Sequence, residues 1–149
     1  REHGLKLADV QAIINTIDPL PGAKEFLDEL RKKTQVIILS DTFTQFAAPL
    51  VAKLGYPTIF CNELEVDQEG NITDFIMRCP KSKLTTVKGL QSIGFDTIAA
   101  GDSFNDLAMI QASKAGFLFR STEAIKASYP DIPAFEEFSD LYDGICAAL

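Results

Sequence analysis

The sequence predicts an α/β fold: a parallel sheet with helices on both faces. Three observations predict it. Short, β-branched apolar runs alternate with amphipathic helical segments of 8 to 13 residues, the pattern of right-handed βαβ crossovers. Two of those runs, "VIILSDT" and "IAAGDS", end in polar residues, and in such sheets ligands bind beyond the carboxyl ends of the strands. A composition of 46% apolar and 23% charged residues over 149 positions gives enough material for one sizeable core and suggests neither disorder nor membrane residence.

The elements follow in order. Leu7, Val10, Ile13, Ile14 and Ile17 recur at helical spacing until "DPLPG" stops them, two prolines and a glycine being strong breakers. Ala23, Phe26, Leu27 and Leu30 mark a second helix. Residues 35–39 are too short and too β-branched for a helix and read as a buried strand. Phe46, Leu50, Val51 and Leu54 give the next helix, where Pro49 predicts a kink or a late start. Residues 63–66 and 72–75 alternate apolar and polar around "DQEGN" and predict a hairpin rather than a calcium loop, since an EF-hand's long ligand loop and closing glutamate are missing. A helix over 83–93, a strand over 97–100, a helix over 105–112, a strand over 115–119, a helix over 123–128 and a last helix from Leu141 complete the reading.

Composition limits the chemistry. A formal charge of −7 argues against nucleic acid or an anionic membrane surface as partner, while an anionic small substrate needs a local lysine or metal to offset the overall field. No apolar run approaches the ~18 residues of a membrane span, and the first ten residues lack a signal peptide's apolar stretch, so a cytoplasmic setting is the default. Cys61, Cys79 and Cys146 have no C-x-x-C spacing and read as small core residues. The single histidine, His3, reads as a surface residue and leaves a Ser-His-Asp mechanism without its parts. No G-x-G-x-x-G follows a strand, which speaks against a dinucleotide fold.

Three clusters carry candidate chemistry. Asp102 at a strand tip and Asp106 four residues later can converge on Mg²⁺, which takes oxygen ligands, keeps waters and is usually held by one or two carboxylates beside a phosphate; equally, Asp102 or Ser103 can cap the following helix with Asp106 complementing its dipole. Ser40 and Thr42 offer hydroxyls, and a turn after Leu39 offers N–H groups to a phosphate oxygen, although the same hydroxyls can cap a helix. Asp41 between them opposes an anion unless it turns away. Lys81 and Lys83 in "CPKSK" precede a helix and can neutralise a phosphoryl group as point charges, or stand solvated like most lysines.

In order, "VIILSDT", "CPKSK" and "IAAGDSFND" resemble motifs two, three and four of the haloacid dehalogenase (HAD) superfamily of phosphohydrolases, and the chain looks most like its phosphoserine phosphatase branch, including the bacterial members that also transfer phosphate to homoserine. The resemblance, which runs along the whole chain, implies a HAD-like, Rossmann-like core with a small β-hairpin insertion. It implies that Ser40 hydrogen-bonds the transferring phosphoryl, with Asp41 and Thr42 nearby; that Lys81, or Lys83 in its place, stabilises the phosphoryl charge; that Asp102 is a direct Mg²⁺ ligand; that Asp106 holds the metal's waters; and that Asn105 lies near the substrate, a small phosphorylated amino acid. Phosphoryl transfer needs mainly such electrostatic roles.

One departure is plain. The family's first motif is a strand ending in D-x-D, whose first aspartate attacks phosphorus and whose second serves as acid and base, and no D-x-D occurs in these 149 residues. The resemblance therefore implies that residues 1–17 are the end of a helical cap, that residues 18–149 are a HAD-like core lacking its first strand, and that the strands at 35–39 and 97–100 leave unpaired edges, an aggregation-prone state. A separate N-terminal piece or a second copy would complete the sheet. The alternative is a non-catalytic domain built on the same scaffold.

Overall fold

In the computed structural model, which describes residues 6–149, the chain divides into two compact units, Arg1–Pro80 and Lys81–Leu149. His3 and the first residues of the expected cap segment lie outside the described residues.

The first unit is built from α1 (Leu7–Ile14), α2 (Ala23–Arg31), β1 (Ile37–Phe43), α3 (Thr44–Lys53), β2 (Thr58–Val66) and β3 (Ile72–Ile76). Its sheet has the order β1-β2-β3. Strand β1 runs parallel to β2, with α3 as the crossover, and β2 turns back into antiparallel β3. The turn between them forms because the Asp67 carboxylate accepts the N–H groups of Glu69 (2.9 Å) and Asn71 (2.8 Å), so the hairpin expected from "DQEGN" is present. These bonds also hold the Asp67 carboxyl below its ordinary range, the Asn71 side chain contributing most.

Pro49 sits inside α3 rather than delaying its start. A proline has no N–H for the carbonyl four residues back, here that of Gln45, and that oxygen accepts instead from Gln11 Nε2 of α1 at 2.9 Å. Helix α1 ends at Ile14, short of the expected Ile17. Beyond it, Lys53 Nζ donates to the carbonyls of Asn15 (2.9 Å) and Ile17 (2.7 Å) and pairs with Asp18, so a tertiary lysine ties down carbonyls that a longer helix would have used.

The second unit runs α4 (Ser82–Ser92), β4 (Ile98–Gly101), a 3-10 turn (Phe104–Asp106), α5 (Leu107–Ala112), β5 (Ala115–Phe119), α6 (Glu123–Ser128), β6 (Ala134–Phe135) and α7 (Phe138–Ala148). Its sheet is parallel throughout, in the order β4-β5-β6. The core is apolar: Leu118 is fully buried, with Ile110, Val87, Ile125 and Leu141 also inside. Gly116 on β5 lets α5 lie against the strand, since a Cβ there would meet Ile110. The two residues of β6 are too few to show a period, and the sequence reading passed over them.

The strands form two three-stranded sheets, and among the described residues neither β1 nor β4 has a strand on its second side, the open edges expected for the strands at 35–39 and 97–100. The described residues before β1 form helices and turns and supply none. One correction follows. Of the cysteines expected in the core, Cys61 is buried, whereas Cys79 and Cys146 are partly exposed; all three are free. No described helix is long and apolar enough to cross a membrane.

Candidate functional site

The carboxyl end of β4 is organised by one side chain, Asp106. Its Oδ2 accepts the backbone N–H of Asp102 (3.0 Å), the backbone N–H of Ser103 (3.1 Å) and the Ser103 hydroxyl (3.2 Å), while its Oδ1 receives Lys83 Nζ at 2.6 Å. Ser103 and Asp106 form a reciprocal capping box around the 3-10 turn, a device that satisfies N–H groups left over at a helix start. Gly101 is required for space: a Cβ there would collide with the Asp106 side chain.

Burial would raise the Asp106 carboxyl, but the Lys83 ammonium and the donated N–H groups outweigh it and hold the group below the ordinary carboxylate value of 3.8. Asp106 is 5% exposed, so this is a buried, ionised carboxylate with both oxygens accepting hydrogen bonds.

Asp102 is its opposite. The side chain is exposed, and no hydrogen bond or ion pair within the described residues reaches its carboxylate. Its backbone, by contrast, is held on both sides: its N–H by Asp106, and its carbonyl by the Ser121 hydroxyl at 2.6 Å. Ser103 and Asp106 thus share the cap expected at this junction, and the Asp102 carboxylate, a hard oxygen donor, takes no part in it. Asn105 lies in the 3-10 turn and is exposed.

Of the two lysines, Lys83 is the one brought to Asp106. Lys81 precedes α4 in a left-handed conformation, φ 48°, and is exposed, without an ion-pair partner among the described residues. A left-handed lysine is uncommon, and nothing in "CPKSK" announces it.

In the first unit, Ser40, Asp41 and Thr42 lie inside β1, not in a turn after Leu39 as the sequence suggested. Leu39 pairs with Phe60 and Phe43 with Asn62, so three β1 residues stand where β2 has the single residue Cys61. That bulge is what mimics a turn in the sequence. The Ser40 hydroxyl accepts the Thr42 N–H at 3.3 Å. Asn62, 2% exposed, pins the bulge: its Nδ2 donates to the Asp41 carbonyl (3.1 Å), its Oδ1 accepts the Arg78 N–H (2.9 Å), and its carbonyl takes the Thr44 hydroxyl (3.1 Å).

Asn62 and Ser121 are the polar residues that sequence reasoning missed. The only signal for Asn62 was an amide within an otherwise strand-like run, and Ser121 had none beyond its place after a strand.

The donor set at β4 fits a magnesium ion that shares its ligands with a phosphate. Such an ion takes one or two carboxylates and keeps waters, and Asp102 supplies one open carboxylate. Among the described residues there is no group of three His, Cys, Asp or Glu that could hold a metal ion by itself.

Comparison with known proteins gives a consistent result. Residues 2–114 match the family model described as haloacid dehalogenase-like hydrolase. The chain is 44% identical over 140 residues to phosphoserine phosphatase ThrH of Pseudomonas aeruginosa, covering 94% of this chain and 68% of that protein. It is also 44% identical over 140 residues to a phosphoserine phosphatase of Pseudomonas syringae, of which it covers 59%. Among solved structures, phosphoserine phosphatase in apo form superposes with a TM-score of 0.74 at 27% identity, over 89% of this chain and 69% of that one. A substrate-bound phosphoserine phosphatase complex does so with a TM-score of 0.74 at 27% identity, over 90% and 66%.

Proposed function

Because the chain belongs to the haloacid dehalogenase-like hydrolase family and its curated relatives are phosphoserine phosphatases, we propose that it carries the metal-binding and phosphoryl-stabilising residues of a Mg²⁺-dependent phosphatase acting on phosphoserine or a similar small phosphorylated amino acid. One observation carries the reading most directly. The Asp102 carboxylate is exposed and unengaged at the tip of β4, although both backbone groups of the same residue are held by side chains.

The roles follow from charge and position. Asp102 would ligate Mg²⁺, and Asp106 would hold its waters while keeping Lys83 and the β4 loop in place. When bound, Mg²⁺ supplies positive charge against the phosphoryl oxygens. The Ser40 hydroxyl and the Asp41 and Thr42 backbone would hydrogen-bond those oxygens, Lys81 would offset their charge with a solvated ammonium, and Asn105 would border the substrate. Such fixed donors and charges are what phosphoryl transfer chiefly needs from a protein.

Attack on phosphorus requires an aspartate that these 149 residues do not offer, since D-x-D is absent. In this reading a separate N-terminal piece brings it, and that piece or a second copy fills the open side of β1 or β4. Attack by that aspartate would break the P–O bond to the substrate's alcohol, which leaves with a proton, and the phosphoryl group of the resulting aspartyl-phosphate would then pass to water, or to an acceptor alcohol such as homoserine, restoring the aspartate. Residues 1–17 would be the end of a helical cap and 18–149 the core, at work in the cytoplasm without nucleic acid or membrane as partner. The second reading is a non-catalytic HAD-like domain that binds Mg²⁺ and phosphate without turnover.

Hydrolysis of phosphoserine separates the two readings. The chain is assayed alone and mixed with a segment carrying the family's D-x-D strand, in Mg²⁺ and in EDTA. The expected result is metal-dependent turnover in the mixture that Asp102→Asn lowers at least about a hundredfold, a loss of ~2.7 kcal/mol in transition-state stabilisation. Turnover indifferent to EDTA and to Asp102→Asn would overturn the assignment of Asp102, and no turnover in any mixture would favour the non-catalytic domain.

A further inference from the structure

Ser121 stands just past β5, in the loop leading to α6, and is buried at 8% exposure. A serine there would ordinarily cap the helix, but the cap is already filled: the Thr122 hydroxyl accepts the Ile125 N–H at 3.3 Å. The Ser121 hydroxyl instead crosses 19 positions of sequence to donate to the Asp102 carbonyl at 2.6 Å.

Its own position is fixed from the residue before it. Arg120 adopts a left-handed backbone, φ 51°. Its guanidinium lies 4.9 Å from the Phe119 ring centroid and 5.0 Å from that of Phe138, and its Nε donates to the Glu136 carbonyl at 2.8 Å. Stacking and a charge-assisted hydrogen bond together hold the turn that aims Ser121 at β4.

The consequence falls on Asp102. The N–H on one side of its Cα is held by Asp106 Oδ2, and the carbonyl on the other side by Ser121. With both flanking peptide planes fixed, φ and ψ of Asp102 are fixed, and so is the direction in which its Cβ leaves the chain. A ligand whose backbone is already ordered loses less entropy on binding a cation than one on a loose loop.

We propose that Ser121 is a positioning residue for the metal-binding carboxylate: its hydroxyl sets the direction of Asp102 toward a divalent cation without touching that cation. The inference rests on the reading of Asp102 as a metal ligand given above.

Mn²⁺ stands in for Mg²⁺ as the probe, its binding to the 149-residue chain read by the loss of free-ion EPR signal, with thermal unfolding of each variant measured alongside. Ser121→Ala is expected to weaken Mn²⁺ binding about tenfold, within the range found when a group supporting a metal ligand is removed. Ser121→Thr, which keeps the hydroxyl, should restore binding to within about twofold even if its added methyl lowers the melting temperature. Wild-type affinity in Ser121→Ala overturns the proposal, as does Ser121→Thr binding as weakly as Ser121→Ala. Asp102→Asn distinguishes the two levels. If it abolishes binding while Ser121→Ala leaves it intact, only the positioning role fails; if it leaves binding unchanged, or if the wild-type chain takes up no Mn²⁺, the metal reading fails and this inference with it.

Discussion

The tips of β1 and β4 look alike in sequence, an apolar run closing in "LSDT" at one and "AGDS" at the other, yet they are held by different means. At β4 the organising side chain, Asp106, lies three or four residues from the N–H groups it binds. At β1 the organising side chain, Asn62, lies 21 residues from the carbonyl it holds. The first is a local device that any helix start can use. The second exists only once β2 has paired with β1. The comparison separates a tip that closes on itself from one closed by its neighbour.

Breaking the β4 device should have the largest effect. Asp106→Ala removes three acceptor contacts and the carboxylate that meets the mostly buried Lys83 ammonium at 2.6 Å. Loss of one partner of a buried pair typically costs about 3–5 kcal/mol, so calorimetry should show a large drop in melting temperature. An equally stable variant would mean that the ion pair does not hold the tip.

Asn62→Ala should cost less, about 1–3 kcal/mol, because it removes the buried Asn62 amide's hydrogen bonds to the Asp41 carbonyl and the Arg78 N–H but breaks no charge pair. Denaturant unfolding reads the loss. Amide exchange should quicken over Ser40–Thr42 and remain slow over Asp102–Asp106, while quickening at both tips would contradict their independence.

Acid should single out the β4 tip. The folded Asp106 carboxyl lies below its ordinary 3.8, so the unfolded chain takes up its proton first as pH falls. The stability this group contributes is therefore fully present well above 3.8 and is lost as pH drops from there through the lower folded value. In a pH series of melting temperatures, Asp106→Asn should show a shallower acid decline than the wild type. A parallel decline would deny Asp106 that role.

Legibility in the sequence followed the same division. Elements with a clear period appeared where expected: the hairpin around "DQEGN", β4, β5, and α6 at Glu123–Ser128. So did the importance of the β4 tip, because G-D-x-x-x-D places its parts within one turn of chain. What escaped depended on distant partners. The β1 bulge read as a turn because its register is set by β2, α1 looked longer because Lys53 was invisible as its stop, and β6 was too short to have a period. Spacing did not settle whether Lys81 or Lys83 reaches inward, and it is Lys83, two positions further on, whose ammonium meets Asp106.

Asp102 gives the smallest expected change in stability and the most informative one. Being exposed and unengaged, it should tolerate Asp102→Asn within about 0.5 kcal/mol. The most direct test is thermal unfolding of the wild type and Asp102→Asn, each with and without Mg²⁺ plus inorganic phosphate, since a ligand that binds only the folded chain raises its melting temperature. The two proteins should melt together without ligand, and only the wild type should rise when Mg²⁺ and phosphate are added. An equal rise in Asp102→Asn, or a variant already destabilised without ligand, would contradict the claim that this carboxylate is kept free for a metal.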